Sequence, residues 1–339
     1  MLTTDIFTPV DLACLLLTLV SLAVYVSVLW VLFKKRREKP FSGSFFKLSR
    51  LLGVVDCCML LATLAFNRSL SWCVPCSELA AAHLPPMIKM APLYFFGYAQ
   101  QLLVAFIAVN RLCVVIYPLR AEKIFSKKGF VRAYVGIALL SCILPLEQGL
   151  VSLSWQRDNG TRLMLAVHDA VITRKILYVQ NTFLLLACLS VSTYCYSRLV
   201  VFLFKQRRSR RRVEPVECWG QHPRKSNSEL GLILYGVCVF VVQNLYVAVM
   251  LSPIVTAVPK QGDPHMRTLE LFWRVLSDIF TWMNPYLLLL MSSKFRTTYA
   301  ELVLGRQEKK RHVRVSKVEI TVTRVERMAR GTTADTAIH

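Results

Sequence analysis

The strongest constraint in this 339-residue sequence is a series of seven apolar stretches, each long enough to cross a membrane. A helix needs about 20 apolar residues to cross roughly 30 Å of hydrocarbon. With 55% hydrophobic and only 18% charged residues, the chain is too apolar for a soluble domain of this length. We therefore predict an all-α membrane protein, a bundle of seven transmembrane helices. The predicted spans are residues 10–33, 46–66, 92–117, 130–153, 176–204, 230–252 and 269–291.

The distribution of lysine and arginine predicts the orientation of this bundle. Of the 42 basic residues, 33 lie in or next to the connections after spans one, three and five or in the carboxyl-terminal tail, which share one side. Cytoplasmic loops carry an excess of basic residues, so we expect the amino terminus outside and the carboxyl terminus in the cytoplasm. The same rule accounts for the formal net charge of +22. We therefore expect no nucleic-acid partner.

The two ends of the chain differ in composition. No basic residue precedes span one, so that span itself is expected to act as the insertion signal. After span seven, apolar residues recur at helical spacing beside basic ones, which is typical of a helix lying in the membrane interface. We predict an extracellular amino terminus (1–9), a transmembrane domain (10–291), a short amphipathic helix (292–304) and a basic cytoplasmic tail (305–339).

A polar pair, Asn110 and Arg111, stands at the end of the third apolar stretch, and Pro118 follows as a helix stop. An arginine at the bilayer centre costs roughly 2.5–3.5 kcal/mol on insertion scales, whereas near a helix end its stem reaches the interface. We expect Arg111 at the cytoplasmic edge. The plain alternative is an anchoring arginine without a further role.

Asp56 lies near the middle of span two, where its short carboxylate cannot reach water. Such a group is protonated, paired or hydrated, and ionisable residues inside a membrane are candidate functional residues. Asn284, which precedes Pro285 on span seven, is expected at a similar depth. We predict a hydrated polar link between Asp56 and Asn284. The alternative is a satisfied hydrogen bond between helices that only stabilises packing, the role also expected for span one.

Two features of the outer loops suggest covalent modification. Cys73 and Cys76 form a CxxC pair, for which a disulfide in an oxidising exterior is favoured over zinc, because a structural zinc site needs four ligands. The Asn159-Gly160-Thr161 sequon lies on the predicted outer side and makes Asn159 a candidate glycosylation site. We expect no metal site.

Other membrane-protein functions lack their sequence signals. An intramembrane hydrolase would need HExxH, GxSxG or clustered histidines, and none of the six histidines lies within a span. We therefore expect neither an enzyme nor a cofactor. A transporter would show an internal repeat and broken helices, and a channel a polar stripe along one helix. Neither pattern is visible, but a ligand-gated channel or a transporter of the plasma membrane stays the alternative function.

The third and seventh spans resemble those of rhodopsin-like G-protein-coupled receptors. Asn110-Arg111-Leu112 followed by Pro118 resembles their Asp-Arg-Tyr ending, and Asn284-Pro285 resembles their NPxxY motif, with Leu288 at the usual tyrosine position. Asp56 resembles their span-two aspartate. Asp278 occupies the position of the retinal-binding lysine of opsins, so retinal is not expected. The four segments most similar to one family are VYVSVLWVLFKKRREKPFSGSFFKL, AFIAVNRLCVVIYP, ILPLEQGL and SDIFTWMNPYLLLLMSSKFR.

That family is the Srv class of nematode serpentine chemoreceptors. The resemblance implies a receptor in the plasma membrane of sensory neurons and their cilia, which binds a small-molecule or pheromone-like ligand and activates a heterotrimeric G protein. For coupling and switching it implies roles for a set of polar residues at mid-membrane and at the cytoplasmic mouth. This set comprises Asp56, Asn110, Arg111, Asn284 and Pro285, with Glu229 on span six as the predicted partner of Arg111.

A ligand that enters from outside would bind between the outer halves of the helices, where aromatic and polar residues converge. The predicted ligand-binding residues are Tyr94, Phe95, Tyr98, Tyr178, Asn181, Asn244, Tyr246, Trp273 and Asp278. If Asp278 faces this pocket, it favours a cationic or hydrogen-bond-donating ligand. The alternative is an intrahelical ion pair between Asp278 and Arg274, one turn away.

Overall fold

A computed structural model of the chain describes residues 9–38, 41–68, 86–145, 153–158, 162–167, 171–213, 238–248, 264–303 and 305. These residues form helices and one short hairpin, so the predicted all-helical membrane bundle is confirmed. The helices are α1 (Pro9–Lys34), α2 (Ser44–Ala62), α3 (Pro86–Ile116), α4 (Pro118–Ile124), α5 (Lys127–Ile143), α6 (Val171–Val213), α7 (Cys238–Ala248), α8 (Pro264–Met291) and α9 (Ser293–Val303).

Each of the seven apolar stretches overlaps one of these helices: α1, α2, α3, α5, α6, α7 and α8. Four of the described helices contain a segment of at least 18 residues that is apolar enough to cross a membrane. The four segments are Leu12–Lys34, Ser44–Phe66, Ala91–Ile116 and Thr182–Gln206. Large apolar side chains of α1 are exposed, among them Leu16 and Val20, each 56% exposed. Such a surface is compatible with lipid, where apolar side chains need no burial.

Local sequence explains where several helices begin and end. Pro118 is the first residue of α4, a position where a missing amide hydrogen costs no helical bond. At the start of α5 the Ser126 hydroxyl caps the helix by accepting a hydrogen bond from the Gly129 amide, 3.3 Å away. Helix α2 continues without a break into a π-helical turn, Thr63–Arg68. Single π turns inside helices occur frequently at functional sites.

The fourth span is shorter than the sequence predicts. Helix α5 ends at Ile143, two residues before Pro145, whereas we expected this span to reach residue 153. A proline clashes with the helical carbonyl four residues earlier, so it disfavours continuation of the helix. Leu153 instead begins strand β1 (Leu153–Asp158), which pairs antiparallel with β2 (Arg162–Val167). The hairpin was not predicted.

Helix α3 lies at the centre of the packing, in contact with α2, α5 and α6, while α1, α2 and α8 pack against one another. Helices α1 and α2 approach closely at Gly53, where an added Cβ would lie 2.9 Å from Leu29 Cδ2. We call the end of the bundle at which α1 and α3 end and α2 begins the basic end. The chain divides into two units after Arg296, and of the second unit the structure describes the last turns of α9.

Candidate functional site

The carboxylate of Asp56 is fully buried and joins four helices. Its Oδ1 atom accepts a hydrogen bond from Gln100 Nε2 on α3 at 2.7 Å. Its Oδ2 atom lies 2.7 Å from the hydroxyl of Tyr25 on α1 and 2.9 Å from Nδ2 of Asn284 on α8. The predicted partners Asp56 and Asn284 therefore meet directly. A carboxylate with three donors satisfies the hydrogen-bonding demand that burial imposes.

The Asn-Pro pair of α8 supplies this site with a second acceptor. Pro285 has no amide hydrogen, so the carbonyl of Thr281, four residues earlier, loses its helical partner. The hydroxyl of Tyr25 fills that place at 2.5 Å from the Thr281 carbonyl oxygen. Tyr25 therefore contacts both the carboxylate of α2 and the interrupted backbone of α8.

The Tyr25 hydroxyl has fewer hydrogens than it has neighbouring acceptors, so its hydrogen bonds depend on whether Asp56 is protonated. The phenol carries one hydrogen, but two acceptors lie within hydrogen-bond distance: Asp56 Oδ2 and the Thr281 carbonyl. With Asp56 ionised, Tyr25 can satisfy only one of them. With a proton on Oδ2, the carboxyl donates to the phenol oxygen and Tyr25 donates to Thr281. The arrangement thus accommodates a charged and a neutral form of Asp56 with different bonding.

A second polar cluster lies farther from the basic end and holds a buried ion pair. Arg68, the last residue of the π turn, contacts Asp278 of α8 through Nη2. Its Nη1 donates to the Thr18 hydroxyl of α1 at 2.8 Å. The side chains of Arg68 and Asp278 are 12% and 10% exposed. Asp278 is thus paired with α2, and the side chain of its expected partner, Arg274, is not among those described.

The first span contributes more than packing, contrary to our expectation. Thr18, Ser21 and Tyr25 recur at helical spacing along α1, and each makes a polar contact with another helix. Ser21 lies 3.2 Å from the hydroxyl of Tyr286, the tyrosine that follows Pro285 directly. This spacing is visible in the sequence and would have predicted a polar face, so interpreting span one as plain packing was wrong.

A third polar contact, not predicted, joins α3 and α7. Gln243 Nε2 donates to Gln101 Oε1 at 3.2 Å, and both side chains are buried. Tyr98 and Tyr246 each lie three residues from a member of this pair, on its side away from the basic end. Tyr246 stacks on Phe280 of α8, with ring centroids 6.3 Å apart. Gln243 Oε1 is fully buried and finds no hydrogen-bond donor within the described parts of the chain.

Three further predicted ligand-binding residues lie within the described helices: Tyr94, Phe95 and Asn244. Tyr94 and Phe95 lie on α3, where the rings of Tyr94 and Tyr98 are 6.0 Å apart. The amide of Asn244 donates to the carbonyl of Phe240 in its own helix at 2.7 Å. Several remaining predictions fall outside the described residues or side chains: Tyr178, Asn181, Trp273, Glu229, Asn159, Cys73 and Cys76.

At the basic end, the guanidinium of Arg111 lies over the ring of Phe45, with 3.4 Å between Cζ and the ring centroid. Its neighbour Asn110 is fully buried, and neither amide atom has a hydrogen-bond partner among the residues that the structure describes. Leaving a buried amide unsatisfied costs about 1–3 kcal/mol. Asn110 is therefore a locally unfavourable residue in the described conformation.

A small cavity adjoins the Asp56 network between α1, α2 and α8. Its volume is about 20 Å³, which is room for one water molecule. Tyr25, Gly53, Asn284 and Pro285 are among its lining residues. Water therefore fits beside the direct hydrogen bonds, but an organic ligand does not.

The cysteines and acidic residues of the described segments hold no metal-binding group. The described cysteines form no disulfide with one another: Cys14, Cys57, Cys58, Cys113, Cys142, Cys188, Cys195 and Cys238. Within these segments no three residues of the His, Cys, Asp and Glu types lie close enough together to bind a metal ion.

The sequence is similar to known serpentine receptors. Residues 14–303 match the family model described as "Serpentine type 7TM GPCR chemoreceptor Srv". Serpentine receptor class V-1 of Caenorhabditis elegans is 28% identical over 116 residues, which are 34% of this chain and 37% of that protein. Serpentine receptor class gamma-9 of the same organism is 27% identical over 121 residues, 34% of this chain and 36% of that protein. Each alignment thus spans little more than a third of the relative.

Proposed function

The chain belongs to the Srv family of serpentine seven-transmembrane chemoreceptors, and on this basis we propose that it detects a small molecule outside the cell and activates a heterotrimeric G protein inside. The observation that carries the proposal is the Asp56 network. It joins α1, α2, α3 and α8 at one buried carboxylate, so a ligand that shifts any of these helices changes the hydrogen bonding of the others.

The proposed orientation places the basic end in the cytoplasm and the amino terminus outside, in the plasma membrane. The charge distribution supports it, since basic residues such as Lys34, Arg36 and Lys127 gather at that end of the described helices. In this orientation the hairpin formed by β1 and β2 is extracellular. The sequon at Asn159 falls between its two strands, and we propose it as a glycan acceptor. We propose a disulfide between Cys73 and Cys76 on the same side.

For coupling, we propose that Arg111 contacts the G protein once the helices separate. Its position at the basic end, close to the end of α3, supports this role. Asn110 adds to it, because a buried amide that has no hydrogen-bond partner in the described segments favours a rearrangement that supplies one. Glu229, predicted as a partner of Arg111 in the resting receptor, retains that proposed role.

For switching, we propose that Asp56 changes its partners between two receptor states. Two arrangements are chemically available to Tyr25, because one phenol hydrogen faces two acceptors. Asn284 and Pro285 belong to the same switch, since both link α8 to the network. A ligand shifts such an equilibrium only by binding one state more tightly than the other.

For the ligand, we propose an uncharged molecule with at least one hydrogen-bond donor. The site lies between α3, α7 and α8, with the Gln101–Gln243 pair as its inner limit and Tyr98 and Tyr246 beyond it. Asp278 argues against a cationic ligand, because Arg68 already compensates its charge. Gln243 Oε1, which has no donor among the residues that the structure describes, supports a donor on the ligand. Tyr94, Phe95, Tyr178, Asn181, Asn244 and Trp273 complete the proposed surroundings.

The test is expression in cells that carry a panel of G proteins, followed by exposure to small-molecule libraries with cyclic-nucleotide and calcium readouts. We expect at least one compound to produce a response that Arg111→Ala abolishes at equal surface expression. Ligand-driven signalling that is unchanged in Arg111→Ala would contradict the coupling role. A ligand-dependent current under voltage clamp, in membranes without G protein, would instead identify a channel.

A further inference from the structure

The ring of Phe45 at the start of α2 contacts Arg111, and no role has yet been given to it. We propose that Phe45 holds Arg111 in the uncoupled receptor through a cation–π contact. This inference rests on the proposed coupling to a G protein. It makes Phe45 a positioning residue, which acts on the coupling partner through Arg111.

The geometry of the contact supports a specific attraction rather than incidental packing. The guanidinium carbon lies 3.4 Å from the ring centroid, well inside the distance of about 6 Å at which a cation is attracted by a ring face. The side chain of Phe45 is buried, with 8% of its surface exposed. Removal of water strengthens the attraction between the cation and the ring.

The residue before Arg111, Asn110, gives it no charged partner within α3. A carboxylate at position 110 would lie directly beside Arg111 and attract it, but Asn110 is neutral and fully buried. The amide of an asparagine has no net charge, so it provides no ion pair. Phe45 approaches the guanidinium from another helix, and the restraint therefore links α3 to α2 instead of acting within α3.

Further aromatic rings fix the position of Phe45. The ring centroids of Phe45 and Phe46 are 5.2 Å apart, and those of Phe46 and Phe41 are 5.0 Å apart. Phe41 in turn contacts Phe295 at the start of α9, 6.2 Å away. Phe41 and Phe295 are buried. The contact to Arg111 is thus the end of a row of rings that runs from α2 to the start of α9.

Stepwise fluorination of the Phe45 ring tests the cation–π contact with little change of shape. Fluorine withdraws electron density from the ring face, so 4-fluoro-, 3,5-difluoro- and 3,4,5-trifluorophenylalanine weaken the attraction in that order. We expect basal nucleotide exchange on the G protein to rise stepwise, by roughly 2- to 30-fold for the whole series. The same series at Phe106, whose ring packs on Phe125 at 5.6 Å, is the matched control and should leave exchange unchanged.

A second readout, thermal unfolding of the purified receptor without G protein, separates the contact from coupling. We expect the midpoint to fall stepwise along the Phe45 series, and this trend to disappear in Arg111→Gln. A flat series in both backgrounds would overturn the inference, even if the native receptor activates a G protein. A stepwise, Arg111-dependent series in a receptor that activates no G protein would preserve the contact and refute the proposed function.

Discussion

The hydroxyl of Tyr25 and the backbone carbonyl of Thr281 are joined by a hydrogen bond of 2.5 Å that links the first and seventh spans. The bond exists because Pro285 cannot donate to that carbonyl. A proline in the interior of a helix normally leaves an acceptor to find another partner, and in this protein the partner comes from a different helix. The hydrogen bond that the helix loses at Pro285 is thus replaced by one from the Tyr25 hydroxyl.

Replacing Tyr25 with phenylalanine should destabilise the receptor. The variant removes the single phenol hydrogen, for which the Thr281 carbonyl and Asp56 compete, while the ring and its packing against Leu60 and Trp282 remain. We expect a loss of roughly 1–3 kcal/mol in the free energy of unfolding, the usual cost of leaving a buried polar group unsatisfied. Thermal unfolding in detergent measures it. Ser190→Ala is the control, because the Ser190 hydroxyl bonds only to the Leu186 carbonyl among the contacts described for it, and an equal loss there would contradict the prediction.

Replacing Asp56 with asparagine should change agonist efficacy more than agonist affinity. Asparagine offers one acceptor oxygen, and its amide nitrogen would face a donor, either Gln100 or Asn284. The network that we propose to differ between receptor states is therefore altered, whereas the proposed ligand site lies elsewhere. Parallel measurements of maximal response and of ligand binding check this. If neither quantity changes, Asp56 is a packing residue only.

The Arg68–Asp278 pair predicts strongly non-additive mutations. Removing one partner of a buried ion pair leaves an uncompensated charge, which costs about 3–5 kcal/mol. We expect Arg68→Met and Asp278→Leu each to reduce stability by that order, and the double variant to recover most of the loss. Such recovery is expected because replacing both charges with apolar side chains is often neutral.

The control for this cycle is the exposed pair of Lys35 and Glu38, 2.7 Å apart within one turn. Exposed pairs contribute about 0–1 kcal/mol, so Lys35→Met and Glu38→Leu should have little effect singly or together. Additive losses for Arg68→Met and Asp278→Leu would show that the two charges do not depend on each other.

Asn110→Leu should stabilise the receptor and impair its switching. Leucine is larger than asparagine but has the same branching at Cγ and no amide to leave unsatisfied, so we expect a gain of roughly 1–2 kcal/mol in the uncoupled state. Since the gain belongs to that state, basal and agonist-driven nucleotide exchange should both fall. A higher unfolding midpoint together with unchanged exchange would show that Asn110 plays no part in coupling.

Gln243→Leu should weaken an agonist once one is known. The variant removes the bond to Gln101 and also the Oε1 acceptor, which has no donor among the described residues. A dose–response curve at equal surface expression should shift by about tenfold, the equivalent of one hydrogen bond. Thr193→Val, which removes a hydroxyl bonded to the Leu189 carbonyl of its own helix, is the control. An unshifted curve would mean that the ligand binds elsewhere.

Asp56 and Asn284 show what the sequence can predict. A carboxylate at mid-membrane needs a partner, and few polar residues lie at the same depth, so the pair follows from counting residues along two spans. Tyr25 and Gln100 were not predicted, because a phenol or an amide in an apolar span is not obliged to find a particular partner. Their positions depend on the rotation of each helix about its axis, which charge and hydropathy do not fix.

The contact of Asp278 with Arg68 could not be predicted from the sequence. Its predicted alternatives were a ligand or Arg274 on the same helix, since local spacing is what a sequence displays. The contact that the structure describes, Arg68, lies on the π turn that extends α2. That turn departs from the regular helical repeat, so no regular spacing could have placed Arg68 beside α8. The end of α5 at Ile143 was not predicted either, because apolar residues continue past Pro145 in the sequence.

The pairing of Arg68 with Asp278 also bears on how the protein is made. The two residues are 210 positions apart, so at a synthesis rate of about 5–20 residues per second the arginine is inserted roughly 10–40 s before its carboxylate exists. During that interval span two carries a cation without its final counter-charge. Asp278 becomes available only after synthesis has passed span seven. A receptor truncated before that span therefore lacks the ion pair that joins the end of α2 to α8.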